Sequence, residues 1–506
     1  MTDTQVLIVG AGPTGLVLAL RLARHGIACR IIDRNDGPGQ ASRALAVHAR
    51  TLEFYQQLGI ADDVVARGIR VDTIHLREHG TDVARLTLKD MGAGLSPFPF
   101  LLCYAQDDHE RLLVEELRAA GVTVDWGVQL ETFTQDANGV RATLIDRHGT
   151  RQVCTAGYLC GCDGARSTVR EQLGIGFPGG TYKQRFYVAD VGIDAVGSRD
   201  AFVSLDLSGF ALMMPVRGGG AQRIVGIVPA HLTNSETLAF SDVQSSAESL
   251  LGVRVTAVNW FSVYQVHHRV ADHFHRDRCF LLGDAGHVHS PFGGQGMNTG
   301  IGDAVNLSWK LAQVLTGRAR SSLLDSYEPE RIVFARLLVQ TTDRAFQNVV
   351  NPGRGGQFLR TWLVPHLVPF LTGFSTVRRM MFRTISQVRI NYRNTALSVG
   401  SAGEVHGGDR LPYVTDHGGD NFTPLQSMDW QIHIYGTPHP DFTSVATALR
   451  LPLHVFASND ASDDAGLLRD AAYLVRPDGY VALAMPVQTA ESVAQLRNYA
   501  ASVFSS

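Results

Sequence analysis

Hydrophobic and polar positions along the chain alternate between two regimes, and each predicts a different kind of element. Residues 5 to 9, Gln-Val-Leu-Ile-Val, form a short apolar run of the type buried in a parallel sheet. Gly10-Ala11-Gly12-Pro13-Thr14-Gly15 follows at once, and Leu-Val-Leu-Ala-Leu-Arg-Leu-Ala-Arg-His then reads as a helix that stops at Gly26. A second strand over Ala28 to Ile32 ends in Asp33. Residues 41–59 predict a loop and an amphipathic helix closed by Gly59, and Gln106 opens another helix with leucines at helical spacing. From 121 to 162 the pattern turns to strands, the last running into Asp163-Gly164-Ala165-Arg166-Ser167 before a helix.

Between 178 and 266, alternating and β-branched runs punctuated by glycine and proline predict a largely antiparallel sheet, with helix signal mainly near 241–251. At 280–312 a hydrophobic run ends in Gly283-Asp284, a polar glycine-rich turn follows, and a helix begins. The chain then reads as helical to about Arg393. From about 400, short strands and the amphipathic ending AESVAQLRNYAASVF predict a small α/β module with no Cys-x-x-Cys.

Size and charge narrow the picture. A chain of 506 residues is expected to hold two or three domains. Its net charge of −3 gives no electrostatic case for nucleic acid or an anionic membrane. No apolar run approaches a membrane span, and the acidic start is unlike a signal peptide, so the cytoplasm is the expected location. The six cysteines read as small buried hydrophobes in a reducing compartment. Cys160-Gly161-Cys162 lacks a second pair at zinc spacing, and no metal is expected.

The chemistry begins at the first glycine loop. Strand, G-x-G-x-x-G, helix, strand and acid together make the dinucleotide fingerprint in its required setting. Gly10 allows the tight turn, Gly12 lets a pyrophosphate approach, and Gly15 lets helix and strand pack closely. Exposed N–H groups at the helix start favour phosphate, and Asp33 suits both hydroxyls of an adenosine ribose. The motif alone does not choose between NAD and FAD. Arg43 is placed on its loop to reach a cofactor phosphate. Asp163 can cap the helix that follows it, and Arg166 offers a bidentate donor for pyrophosphate. A sheet facing the cofactor is a natural wall for a flat apolar substrate. Phe202, Phe210, Met213, Met214 and Tyr264 are candidates for it, with Pro291 and Phe292 of the later loop beside them.

Three segments in order, GAGPTG, CDGARS and GDAGHVHSPFGGQGMNTGIGDAVNLSWKLA, resemble the FAD-dependent aromatic hydroxylases, single-component flavoprotein monooxygenases of the para-hydroxybenzoate hydroxylase type. The resemblance covers nearly the whole chain. NYRNTALS and YLVRPDGYVAL resemble the phenol- and polyketide-hydroxylase branch, which carries a thioredoxin-like C-terminal domain. The fold so implied is α/β and α+β. A Rossmann-like FAD-binding domain with a helical extension is expected over residues 1–177 and 267–395, an inserted substrate sheet over 178–266, and a thioredoxin-like domain over 396–506.

The resemblance also implies site residues. Gly10, Gly12, Pro13, Thr14, Gly15 and Asp33 would hold the ADP half of FAD, while Arg34, Arg43 and Gln106 match positions that contact the cofactor. Asp163 and Arg166 match a motif associated with both FAD and the nicotinamide cofactor. Asp284 matches the acid near pyrophosphate and ribitol, and Pro291 to Asn298, including Gly296 and Met297, matches the segment around the flavin ring. NADPH or NADH would serve as transient reductant, with O2 and a small phenolic or polycyclic aromatic molecule as partners, and the reaction would pass through a flavin C4a-hydroperoxide. A homodimer is left open. So are Baeyer–Villiger, epoxidation or decarboxylation outcomes, and a ligand-binding flavoprotein without catalysis. No catalytic residue is chosen among Tyr264, His267, His287 and His289. His287 and His289 are expected to hydrogen-bond their own loop.

Overall fold

The computed structural model describes residues 2–39, 44–89, 91–194, 199–205, 209–218, 220–233, 235–350, 373–416 and 419–504. The predicted opening forms as β1 (Thr4–Val9), α1 (Pro13–Arg24) and β2 (Cys29–Asp33). β1 lies between β2 and the strand Arg151–Gly161, parallel to both, and Cys279–Leu281 continues the parallel order beyond Arg151–Gly161. Val9 is level with Gly161 and Gly161 with Leu281. The three motif segments therefore leave the sheet side by side at the carboxyl ends of parallel strands, where α/β sheets place their ligands.

A second sheet has eight strands, and its longest pair is Gly179–Ile193 against Val255–Val270. It is antiparallel except where Ala201–Leu205 runs parallel to Thr73–Glu78. That last strand and Thr81–Thr87 form a hairpin from early in the chain, so the sheet takes in residues outside the 178–266 segment. The hairpin carries the alternation of a half-buried edge, but alternation does not say which sheet a strand will join. At the other edge His287–Val288 pairs with the end of Val255–Val270, tying the late glycine loop to this sheet.

The sheet has two unlike faces. Tyr187, Ala189, Val191, Phe202, Met213 and Ile224 pack with the helix Phe240–Leu251. The opposite face meets the first domain: Arg223 Nη1 donates to the Ala44 carbonyl at 3.2 Å, and its Nε donates to Asp190 at 2.7 Å.

The C-terminal module is built from Gln431–Tyr435, Leu453–Phe456, Ala472–Val475 and Val481–Met485. The first two are parallel across the helix Pro440–Ala448, and the others follow antiparallel before Ala490–Val503. This β-α-β then β-β-α order is the thioredoxin arrangement. The module is held to the domain of the parallel sheet by buried charge. Arg476 donates to Glu330 at 2.7 and 2.9 Å, Lys310 donates to Glu330 at 2.8 Å, and Trp309 Nε1 donates to Asp478 at 3.0 Å. Arg410 likewise reaches Glu53 at 2.9 Å.

Candidate active site

The first glycine turn is shaped by contact. Gly10 has φ +105°, and a β-carbon there would overlap the Cys162 carbonyl and lie 3.0 Å from Asp163 Cα. A β-carbon on Gly15 would overlap the Gly10 carbonyl oxygen, whereas one on Gly12 would meet nothing within 4 Å. The turn is thus closed against the protein at Gly10 and Gly15 and open at Gly12. Gly12 is also the N-cap of α1, with no side-chain cap and no acid in the first turn, so this helix start keeps its positive potential. By contrast, Ser167 and Thr489 cap the helices that follow them.

The second glycine-rich segment meets the first through Thr14. β-Carbons on Gly283 and Gly300 would both press on Thr14, so α1 can approach only because both positions are glycine. The helix Gln295–Leu315 starts from Gly294, which has φ +63° and no side-chain cap. Two uncapped helix starts therefore lie in one continuous cradle.

Buried side chains hold this second turn. Asp303 accepts from the Gly283 N–H at 2.9 Å, from His287 Nε2 at 2.7 Å and from Arg331 Nε at 2.6 Å. Burial raises the Asp303 carboxyl, but Arg331 and His287 outweigh it and hold it below its ordinary value. Asn298 donates to the carbonyls of Ala46 and Gly294 at 2.9 Å, and its Oδ1 accepts from the His48 N–H at 2.9 Å and Thr51 Oγ1 at 2.7 Å. His48 Nε2 donates to the Gly293 carbonyl at 3.0 Å, and His289 Nδ1 to that of Ser290 at 2.7 Å. Burial pushes both imidazoles down to about 4, so both are neutral near pH 7.

Each expected site residue has a definite place. Asp33 ends β2, and its carboxylate accepts the N–H groups of Ala11 at 2.7 Å and Asn35 at 2.8 Å. Arg34 is exposed beside it. Gln106 opens its helix, accepts the Ala44 N–H at 3.3 Å and donates to Glu110 at 2.8 Å. Arg43 and the side chain of Phe292 lie outside the described residues. Asp284 is exposed on the turn Gly283–Ala285, Pro291 precedes the turn Phe292–Gly294, and Gly296 and Met297 lie in the first turn of the 295–315 helix. The Asn298 side chain faces the protein rather than the open cradle. His289 bonds within its own loop, at Ser290, as its setting predicted, whereas His287 reaches out of the loop to Asp303 on the 295–315 helix.

Two expectations need correcting. Ser167, not Asp163, is the N-cap of the helix Thr168–Gln172; Asp163 supports the same helix start by accepting the Val169 N–H of its first turn at 3.1 Å. Phe202 and Met213 belong to the face that packs on Phe240–Leu251, so they are core rather than a wall toward the cradle. Strands alternate sides, which puts Phe210, Leu212 and Met214 on the opposite face. Tyr264 is level with Phe186, in a separate cluster with Tyr182 and Val266.

Arg166 is exposed, and the stitch between the segments is Arg170. It donates to the carbonyls of Ala285 and Ala165, both at 3.0 Å. Replacing it with glutamine is expected to cost about 1.5–3 kcal/mol, because both bonds involve a charged donor. Thermal melting checks this. Arg170→Lys should not restore the wild-type value, since one ammonium lacks the fork that spans two carbonyls. Arg170, Asp303 and His48 were all missed as site residues. A sequence signal existed only for Asp303, an acid within the apolar helix pattern and in a second Gly-Asp-Ala.

A parallel sheet with a glycine turn at each end of one cradle, and a second sheet facing it, defines a dinucleotide-binding oxidoreductase of the flavin type. Residues 3–342 match the FAD binding domain family, and the chain belongs to it. It is 40% identical over 422 residues to the 6-methylpretetramide 4-monooxygenase of Streptomyces rimosus, covering 80% of this chain and 73% of that one. The solved OxyS anhydrotetracycline hydroxylase from Streptomyces rimosus superposes with a TM-score of 0.79 at 27% identity, over 99% of each chain. Aklavinone-11 hydroxylase, solved with FAD and aklavinone, superposes with 0.81 at 25% identity, over 99% of this chain and 98% of that one. The chain is an FAD-dependent aromatic monooxygenase.

The residues present fit FAD. Gly12 leaves open space at an uncapped helix start. Among the described residues, Asp163 Oδ1, His48 Nδ1, His289 Nε2 and Ser290 Oγ are buried around the cradle with no hydrogen-bond partner. Among the described residues, no helix is long and apolar enough to cross a membrane.

Proposed function

We propose that the enzyme uses NADPH or NADH and O2 to place one oxygen atom on a phenolic, fused-ring aromatic molecule. The balance is one nicotinamide, one O2, one proton and ArH giving oxidised nicotinamide, water and ArOH. Bound FAD supplies the two-electron and oxygen chemistry. The observation that carries the reading is the cradle with two uncapped helix starts joined at Thr14, Gly283 and Gly300. Relatives named for anhydrotetracycline and 6-methylpretetramide support the fused-ring substrate.

In this reading the N–H groups of Gly12, Thr14 and Gly15 take the pyrophosphate, Pro13 having none to give. Those at Gln295 to Met297 would favour negative charge on the ring without a cationic side chain. His48 and Asn298 act as positioning residues, holding the turn that presents those groups. The sheet face carrying Leu212 and Met214 excludes water from the reacting ring. The domain division at 178, 267 and 396 is kept as part of the proposal, with the hairpin 73–87 added to the substrate sheet.

Asp284 is exposed on its turn. Asp284→Ala is therefore expected to leave thermal melting of the apoprotein unchanged while lowering the flavin-to-protein ratio, read by absorbance after gel filtration. Unchanged occupancy would remove Asp284 from the site. The function itself is tested by screening fused-ring phenols for stimulated NAD(P)H oxidation under ¹⁸O2. A product carrying one labelled oxygen is expected, and tight ligand binding with no stimulated oxidation would sink the monooxygenase reaction for that ligand class.

A further inference from the structure

A cleft of about 560 Å³ opens between the helix Ser375–Ile385 with the segment after it and the C-terminal module. Its lining carries Arg379, Arg383, Arg389, Arg393 and Arg410 against Glu404, Asp409 and Asp464. Two of the arginines are committed elsewhere. Arg393 pairs with Asp409 at 2.6 Å, and Arg410 with Glu53 at 2.9 Å. Among the described residues, Arg379 donates to the Ala93 carbonyl, at 3.2 Å. Arg383 and Arg389 have no acid within ion-pair distance among the described residues. Five guanidinium groups face three acids on this lining, and like charges in excess of their partners favour an entering anion. Burial first lowers the Arg383 pKa, Arg379 and Arg410 add to it, and Glu404 opposes them.

We propose that this cleft binds a phosphate-bearing small molecule, with Arg383 and Arg389 as its principal anion ligands and Arg379 beside them. The guanidinium fork matches phosphate oxygens two at a time. The volume lies within the range of small-molecule sites. The cleft also shares a wall with the flavin turn. Val388 lines it, and the preceding residues bond to the start of the 295–315 helix. Gln295 Nε2 donates to the Ile385 carbonyl at 3.0 Å, and Gln387 Nε2 donates to Gln295 Oε1 at 2.7 Å and Thr299 Oγ1 at 3.0 Å. An anion that orders this segment is therefore felt at the helix start.

Two sources supply the same chemistry: the adenylate phosphates of the nicotinamide reductant, or a separate phosphorylated metabolite. The first source rests on the proposed reductant; the site itself does not. The chain offers no second dinucleotide fingerprint of the GAGPTG kind to hold that reductant.

The test titrates FAD-loaded enzyme calorimetrically with 2′,5′-ADP and with inorganic pyrophosphate. The same titrations follow for Arg383→Gln/Arg389→Gln. Both side chains keep solvent contact, so the double variant is expected to hold its flavin and its melting temperature. Binding in the wild type and at least tenfold weaker binding in the variant support the site. Competition of 2′,5′-ADP with NADPH in steady-state oxidation assigns it to the reductant. Pyrophosphate binding that leaves NADPH oxidation unchanged assigns it to a separate metabolite. No heat with either probe at millimolar concentration, or equal affinity in the variant, overturns the proposal. Failure of the reductant reading would look different: probe binding would persist while no nicotinamide is oxidised.

Discussion

Gly15→Ala is expected to yield protein that holds FAD at least a hundredfold more weakly. The added carbon falls on the Gly10 carbonyl oxygen, and Gly10 cannot retreat. Its own φ of +105° and its packing on Cys162 and Asp163 fix it in place. The only relief is for α1 to move off the strand, and that pulls Thr14 out of its contact with Gly283 and Gly300. Overpacking of this kind costs about 3 kcal/mol, equivalent to the hundredfold change. Gly12→Ala makes the informative control. Its β-carbon meets no protein atom within 4 Å, so apoprotein melting should not change, yet FAD affinity should fall because the carbon occupies space left for phosphate. Flavin fluorescence titration reads both. If Gly15→Ala binds FAD within twofold of wild type, the packing account of the cradle is wrong. If Gly12→Ala does, the phosphate is not at that turn.

Glu330→Ala is the second large expected effect, a loss of about 3 kcal/mol and, in a chain of 506 residues, about 3 °C in melting temperature. Glu330 is fully buried and accepts from Arg476, Lys310 and Asn306. Removing it leaves Lys310 with Asn306 Oδ1, while Arg476 keeps Asp478. That retained partner places the cost at the lower end of the range for breaking a buried ion pair. Asn306 and Lys310 lie on the 295–315 helix, so FAD retention should fall together with the docking of the C-terminal module.

Acid should expose the same group. Burial raises the Glu330 carboxyl, but Arg476 and Lys310 more than offset it, and the folded value is about 2 against an ordinary 4.5. A folded value depressed in this way stabilises the protein above about pH 4.5, and the contribution is lost as pH falls toward 2. The size is on the order of 3 kcal/mol. Glu330→Gln should flatten that part of the stability curve between pH 5 and 2. A variant that loses stability as steeply as wild type would show that other carboxylates control acid unfolding.

The local elements were legible because their signals are local. The run 5–9, the fingerprint and the acid that ends β2 needed only neighbours in sequence, and so did Gly59, which closes the helix Ala49–Leu58 in the left-handed region at φ +75°. The order of the three motif segments was equally readable, and with it the membership in a flavin-dependent family. The wall of the second sheet was not. Phe202 and Met213 carry the same apolar signal as Leu212 and Met214. Strand alternation is symmetric, and only the packing of Phe240–Leu251 selects one face as core. The partner of the late glycine turn was not legible for a similar reason. Arg166 and Arg170 both follow the Asp-Gly turn, and which one bends back to Ala285 depends on how the helix Thr168–Gln172 lies across the sheet.

By itself, the sequence determined that this chain has a parallel nucleotide-binding sheet, a long antiparallel insertion and a small α/β end, because periodicity, turn residues and helix starts are short-range properties. Tertiary structure alone decided that the two glycine segments form one cradle, since Thr14 must find Gly283 and Gly300 from across the chain. It also decided that the hairpin 73–87 joins the second sheet, and that Asp303, Glu330 and Arg476 are buried with partners rather than solvated. The physical reason is common to all three. Burial and pairing are properties of neighbours in space, and a charged or apolar side chain shows the same letter whether or not those neighbours arrive.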